Sequence, residues 1–171
     1  MDATTLKTLQ APLKQKYRDQ PAAAVVTLRA VGNLGAGVTC SVATGKALVH
    51  AGLHPATGGN GMSACSGDML LQALVACAGV TLNAVATALE LKVRDAKITA
   101  EGDLDFRGTL GVAKDAAVGF RDIRLNFAID GDLTEEQRAT LMKLTERYCV
   151  VYQTLRAAPA IAVTSTITGA G

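Results

Sequence analysis

The sequence predicts an α+β fold, and three observations carry that prediction. Short runs alternating apolar and polar residues occur early, over 23–31 and 37–43, and again after residue 92, as half-buried strands require. Between them runs "LQALVACAGVTLNAVATALEL", residues 71–91, apolar or small almost throughout and too long for a strand. After the last alternating runs comes "DLTEEQRATLMKLTERYCVVYQTLRAAP", which has a helix start signal and no strand period. Strands and helices therefore segregate, in the order α-β-β-β-α-β-β-α-α-β.

Each element has a local reason. Residues 3–20, "ATTLKTLQAPLKQKYRDQ", read as an amphipathic helix that Pro12 interrupts and Pro21 ends. They form an N-terminal helical arm, 1–22, ahead of a single domain, 23–171. "AAVVTLRAVG" and "GVTCSVATG" read as two strands with Asn33, Gly35 and Gly37 in the turn between them. "KALVHAG" is a third, short strand, and it ends in the Gly- and Ser-rich loop "LHPATGGNGMSACSGD", a composition suited to lining a site. The long helix then spans about 66–90, with Ser66 as N-cap and Asp68 in the first turn, where the helix dipole favours a carboxylate. Apolar on nearly every side, it belongs inside a fold or an oligomer. Strands at 92–106 and at "VGFRDIRLNFAIDGD" pair across the loop "GTLGVAKDAA". Thr134 caps the next helix, a second helix follows a bend near Cys149, Pro159 stops it, and "AIAVTSTITG" closes the chain as a strand.

Composition removes several function classes. The 171 residues are 49% hydrophobic and 19% charged, enough for one sizeable core, but only 4% aromatic with no Trp, so Ala, Val and Leu must build it. A net charge of +2 with dispersed Lys and Arg gives no nucleic-acid footprint, and so few aromatics give no base-stacking platform. Polar residues such as Gln72, Thr81 and Asn83 interrupt the long apolar stretch, so no membrane span is expected. The start, "MDATTLKTLQ", lacks an apolar signal region, and the cytoplasm is the expected compartment.

Four cysteines remain: Cys40, Cys65, Cys77 and Cys149. None lies in a CxxC pair or near a His at metal-finger spacing, and a reducing cytosol disfavours a disulfide framework, which leaves core filling or redox chemistry. Cys40 alternates with Thr39 and Ser41 in a strand and reads as core. Cys65 stands near a helix start, where the dipole lowers a thiol pKa, or simply fills a loop of small residues. Cys77 lies mid-helix and packs as a small hydrophobe or reacts; Cys149 lies where a polar helix turns apolar and has the same two readings. Arg147 and Tyr148 flank Cys149, and Arg147 is either an exposed helical Arg or a cation for a thiolate. His50 and His54, four apart beside Pro55, lack further ligands for a metal; His54 is a polar group that a pocket could use.

"LLQALVACAGVTL" around Cys77 and "RYCVVYQTL" around Cys149 resemble the two cysteine motifs of the OsmC/Ohr superfamily: osmotically inducible protein C and the organic hydroperoxide resistance proteins. "GDLDFRGTLGVAKDAAVGFRDIRLNFAIDGDLTEEQ" and the order of elements resemble OsmC-like sequences too, and the likeness covers about 23–167. The resemblance implies two antiparallel β-sheets wrapped around long central helices in an intertwined homodimer, with each site near the interface. It implies a thiol peroxidase for organic hydroperoxides, with Cys77 the peroxidatic residue and Cys149 the resolving one. A dithiol, lipoyl groups in the best known members, then reduces the disulfide, and no metal or other cofactor is called for. In the hydroperoxide-resistance branch an arginine from the N-terminal strands, held by a glutamate early in the cysteine helix, activates the thiolate. Arg29, the only Arg of the first strands, and Asp68 are the candidates here, set against ordinary roles as a solvated strand residue and a first-turn carboxylate. The alternative reading is a dimeric binding protein for an apolar ligand with little or no peroxidase activity.

Overall fold

The computed structural model describes residues 2–20, 27, 32–34, 39–43, 48–111 and 113–167. Its elements are α1 (Ala3–Asp19), β1 (Gly32–Leu34), β2 (Thr39–Ala43), β3 (Leu48–Gly52), a 3₁₀ turn at Pro55–Thr57, β4 (Ala64–Cys65) and α2 (Ser66–Ala88). Then come β5 (Val93–Leu104), α3 (Phe106–Thr109), β6 (Phe120–Gly131), α4 (Glu135–Tyr148) and α5 (Val150–Arg156). The mixed α/β architecture agrees with the expected α+β class: helices accompany a four-stranded sheet, β1-β2-β3-β4, and a two-stranded sheet, β5-β6. One pairing departs from the all-antiparallel expectation, because β3 and β4 run parallel, with Ala51 opposite Ala64 and Gly52 opposite Cys65.

β5 and β6 form the long hairpin that alternation predicted, in register Ile98↔Phe127 and Ala100↔Leu125. Ala96, Ile98, Ala100 and Leu104 share the half-buried face with Ile123, Leu125, Phe127 and Ile129. The other face is charged and tied by exposed ion pairs, Arg94 to Asp130 and Asp132 and Arg124 to Asp103, which solvent screens. At Gly102 the Phe120 ring passes so close that a Cβ would stand 2.5 Å from it, which is why β5 carries glycine there.

The hairpin's apolar face supports α2, and α2 supports α4. Leu74, Ala78, Leu82, Val85 and Ala86 are the buried residues of α2. Leu141 of α4 is fully buried and forms one cluster with Leu82, Val85 and Ala86, flanked by Phe127 and Ile129. By length and composition α2 could also cross a bilayer, but this packed stripe is what a core helix shows. Its opposite stripe is uncovered in the single chain: Leu70, Ala73, Val80 and Ala84 are exposed, Val80 to 72%.

Several expectations meet corrections. α2 begins at Ser66, but its N-cap is Cys65, because pairing with Gly52 holds Cys65 extended before the first helical residue. α1 continues through Pro12 rather than breaking there. Asn33 lies in β1, opposite Ser41, not in a turn: its backbone finds ladder partners whatever its side-chain preference. The strand expected at 23–31 and the turn glycines Gly35 and Gly37 lie outside the described residues, Thr27 excepted. The loop after β5 contains a short helix, α3, capped by the Asp105 carboxylate accepting from the Arg107 N–H. No strand forms over 160–167: Ile161, Val163 and Ile167 are 84–92% exposed, and no described strand lies beside them to complete a ladder.

The two helix ends that frame the site are well made. Thr134 and Gln137 form a reciprocal capping box at the start of α4, as the Thr134 cap predicted. α2 ends in a Schellman turn, with the Glu90 N–H donating to Thr87 and the Leu91 N–H to Ala86, and Glu90 holds the left-handed conformation at φ 54°. Glycine is unstrained there and glutamate is not. Glu90→Gly is therefore expected to stabilise the chain by about 1 kcal/mol, a rise in thermal midpoint of about 2–4 °C; an unchanged or lower midpoint in calorimetry would refute the strain.

Candidate functional site

Cys77 sits midway along α2, half-buried, in line with its otherwise exposed stripe. Cys149 is at the joint between two helices. With φ −72° and ψ 107° it leaves the helical path, serving as C-cap of α4 and N-cap of α5. Its N–H still donates to the Thr145 carbonyl, and its own carbonyl accepts from the Gln153 N–H, so the chain turns without losing order. Cys149 is 1% exposed.

This joint brings together the two thiols that lie 72 residues apart in sequence. Cys77 and Cys149 stand close enough for each to influence the other's ionisation, and both are free thiols. Burial raises the pKa of Cys77, but four groups that stabilise its thiolate outweigh burial: the Val151 N–H, the Cys149 thiol, the Val150 N–H and the Thr81 hydroxyl. The net result is a thiol below its ordinary value. Cys149 moves the other way: burial raises it, the adjacent Cys77 sulfur raises it further, and the N–H groups of Tyr152 and Val151 offset only part. The pair is polarised, with thiolate character on Cys77 and the proton on Cys149.

Among the described residues, the groups acting on Cys77 are two backbone N–H groups, a thiol and a hydroxyl, with no cation among them. Val150 and Val151 are the first residues of α5, whose N–H groups lack partners within their own helix and so face the sulfur. Finding them required knowing that the chain breaks at Cys149. Thr81 was readable: it follows Cys77 by four residues and therefore stands one turn away on the same helix face. Asp68 is in the first turn of α2, exposed, on the opposite side of the helix and about 13 Å along its axis from Cys77, so the fold does not bring it to the thiols. Arg29 lies outside the described residues. Arg147 is exposed, beside Tyr148 and Val150.

The other candidates form separate places. His54 caps the 3₁₀ turn, its Nδ1 accepting from the Ala56 N–H, and stacks on Phe106 at 4.9 Å. With Cys65, Asp68 and Phe120 it lines a cavity of about 310 Å³ at the start of α2. His50 is exposed in β3, Cys65 is a free thiol, and Cys40 lies in β2 opposite Ala51. Among the described residues no group of three or more His, Cys, Asp or Glu could hold a metal ion. A cleft of about 540 Å³ opens between β6 and α4–α5, with Leu74, Leu125, Phe127, Met142 and Leu155 in its walls and Arg156 among its polar groups; neither Cys77 nor Cys149 lines it.

Thr81→Val, which removes the hydroxyl at nearly constant volume, is expected to raise the Cys77 pKa and slow its alkylation near pH 7 by about 3- to 10-fold. Iodoacetamide labelling read by peptide mass mapping checks this, and in the unaltered chain Cys77 should label before Cys149. Equal rates in both proteins would remove Thr81 from the site. The depressed folded-state pKa of Cys77 also fixes a sign: its contribution to stability is present above the ordinary thiol range and is lost as pH falls through the lower, folded value.

Residues 58–164 match the OsmC-like protein family. No curated protein matches the sequence. Among solved structures, the chain resembles an OsmC-like protein from Mycoplasma pneumoniae, at TM-score 0.65 and 16% identity over 78% of this chain and 89% of that one. It also resembles an organic hydroperoxide resistance protein from Elizabethkingia anophelis (TM-score 0.63, 18% identity, 79% of this chain and 91% of that one). A third is the organic hydroperoxide resistance protein OsmC from Legionella pneumophila, at TM-score 0.61 and 18% identity over 78% of this chain and 92% of that one. At these identities the likeness establishes the fold.

Proposed function

The chain belongs to the OsmC-like protein family, and from that premise we propose that it is a thiol-dependent peroxidase reducing organic hydroperoxides to alcohols, with Cys77 peroxidatic and Cys149 resolving. The observation that carries this reading is that the fold sets Cys77 of α2 beside Cys149 at the α4–α5 joint, with two α5 N–H groups lowering the Cys77 pKa and burial raising that of Cys149.

The chemistry balances on these two residues. The Cys77 thiolate attacks one oxygen of the hydroperoxide; an S–O bond forms, the O–O bond breaks, and the departing alkoxide takes a proton to become the alcohol. Cys77 is then a neutral sulfenic acid. The charge that held the proton on Cys149 is gone, so Cys149 ionises more readily. Its sulfur attacks that of Cys77, an S–S bond forms, and hydroxide leaves with the Cys149 proton as water. A dithiol of the lipoyl kind returns both thiols, and the reducing cytoplasm is the compartment in which such a cycle runs. The cleft reaches Leu74, three residues before Cys77 on α2, and its apolar wall suits the hydrocarbon tail of a hydroperoxide.

A second copy of the chain completes this reading. The uncovered stripe Leu70, Ala73, Val80 and Ala84 has Cys77 at its centre, and Tyr148 and Val150 are exposed at the neighbouring joint. Burying that stripe against a second copy gives Cys77 the dry surroundings its chemistry needs. The homodimer, about 35 kDa as twice 17.6 kDa, should appear in light scattering, and Val80→Glu should shift it to monomer. A dimer unaffected by Val80→Glu would place the interface elsewhere.

The same apolar cleft supports a second reading, a dimeric binding protein for an apolar ligand with little peroxidase activity. Cumene hydroperoxide consumption with dihydrolipoamide separates the two. The peroxidase is expected to turn over, to lose turnover entirely in Cys77→Ser, and to stall after one oxidation in Cys149→Ser. No turnover with both thiols reduced sinks the peroxidase in favour of the binding protein.

A further inference from the structure

The break at Cys149 releases two backbone groups at once. In an unbroken helix the Val150 N–H would donate to the Glu146 carbonyl. Here the extended Cys149 separates them, so the N–H faces Cys77 and the carbonyl needs another donor. Gln153 supplies it: its Nε2 donates to the Glu146 carbonyl oxygen at 2.8 Å. The Tyr152 hydroxyl donates to the Glu146 carboxylate, Oε2, at 3.3 Å. Two side chains of α5 thus clasp one residue of α4 across the joint, and neither bond belongs to the hydrogen-bond ladder of either helix.

We propose that Gln153 is a positioning residue: by occupying the Glu146 carbonyl it keeps the α4–α5 break open and holds the Val150 and Val151 N–H groups on the Cys77 sulfur. The competing conformer is a continuous helix through Cys149, in which the Glu146 carbonyl takes back the Val150 N–H and Cys77 loses a donor. The clasp blocks that conformer by competing for the same acceptor. It deepens the peroxidase reading by naming what keeps the attacking thiol activated, yet its test uses no peroxide, so either idea can fail alone.

The experiment is the pH dependence of Cys77 alkylation in the reduced full chain, comparing wild type with Gln153→Met, which keeps length but cannot donate, and with Gln153→Ala. Thr154→Val, an exposed neighbour, is the control. Both Gln153 variants should shift the alkylation midpoint upward by about half to one pH unit, slowing alkylation below the midpoint by about 3- to 10-fold, while the control stays at the wild-type midpoint. A role in stability alone would lower the thermal midpoint and leave the pH profile in place. An unchanged profile in either folded Gln153 variant overturns the proposal, and so does loss of folding in both.

Discussion

The packing of α2 is the constraint from which the rest of the structure follows. This helix is apolar around nearly its whole circumference, and one chain covers only part of it: the β5–β6 hairpin and α4 enclose Leu74, Ala78, Leu82, Val85 and Ala86. Alanines at two of those positions let the neighbours approach closely, and each fully buried leucine contributes about 1.5–3 kcal/mol relative to exposure. The hairpin alternates because one face lies on α2 and the other meets water. Cys77 is half-buried because the start of α5 covers it within an otherwise exposed stripe.

Among the described residues, the groups that favour the Cys77 thiolate are the Val150 and Val151 N–H groups, the Cys149 thiol and the Thr81 hydroxyl. An N–H aimed at a sulfur from the start of a helix acts over a short distance and needs no long side chain held in one rotamer. The sign of the effect therefore depends on backbone geometry at one residue, Cys149, whose extended conformation exposes the Val150 and Val151 N–H groups. The same geometry places Cys149 near Cys77, so the N–H groups and the second thiol reach Cys77 for a single structural reason.

Much of this was legible in the residues. Alternation located β5 and β6, and a long, mostly apolar run located α2 to within two residues at its far end. Thr134 announced the start of α4 because its hydroxyl is a good acceptor for an otherwise unpaired N–H. What depends on distant partners was not legible. The two-residue β4 exists only because β3 runs beside it, and Asn33 joins a strand because β2 offers it ladder partners. The closing segment 160–167 has a strand's alternation without a neighbour to pair with. Asp68 lies nine residues before Cys77 on α2, on the far side of the helix, and its expected partner Arg29 lies outside the described residues. Periodicity could not say that Cys77 and Cys149 meet; the paired motifs suggested it, and the break between α4 and α5 accomplishes it.

The frame around Cys149 also limits how this segment can change length. A capping box anchors α4 at Thr134, and the joint ends it after 14 helical residues. Adding or deleting one residue between those points would swing the joint by about 100° around the helix axis and move it by about 1.5 Å. Side chains on the exposed face of α4 can vary at little cost, but its residue count cannot. Divergent chains built on this arrangement should accept insertions in the loop after α3 and exclude them between the cap and the cysteine.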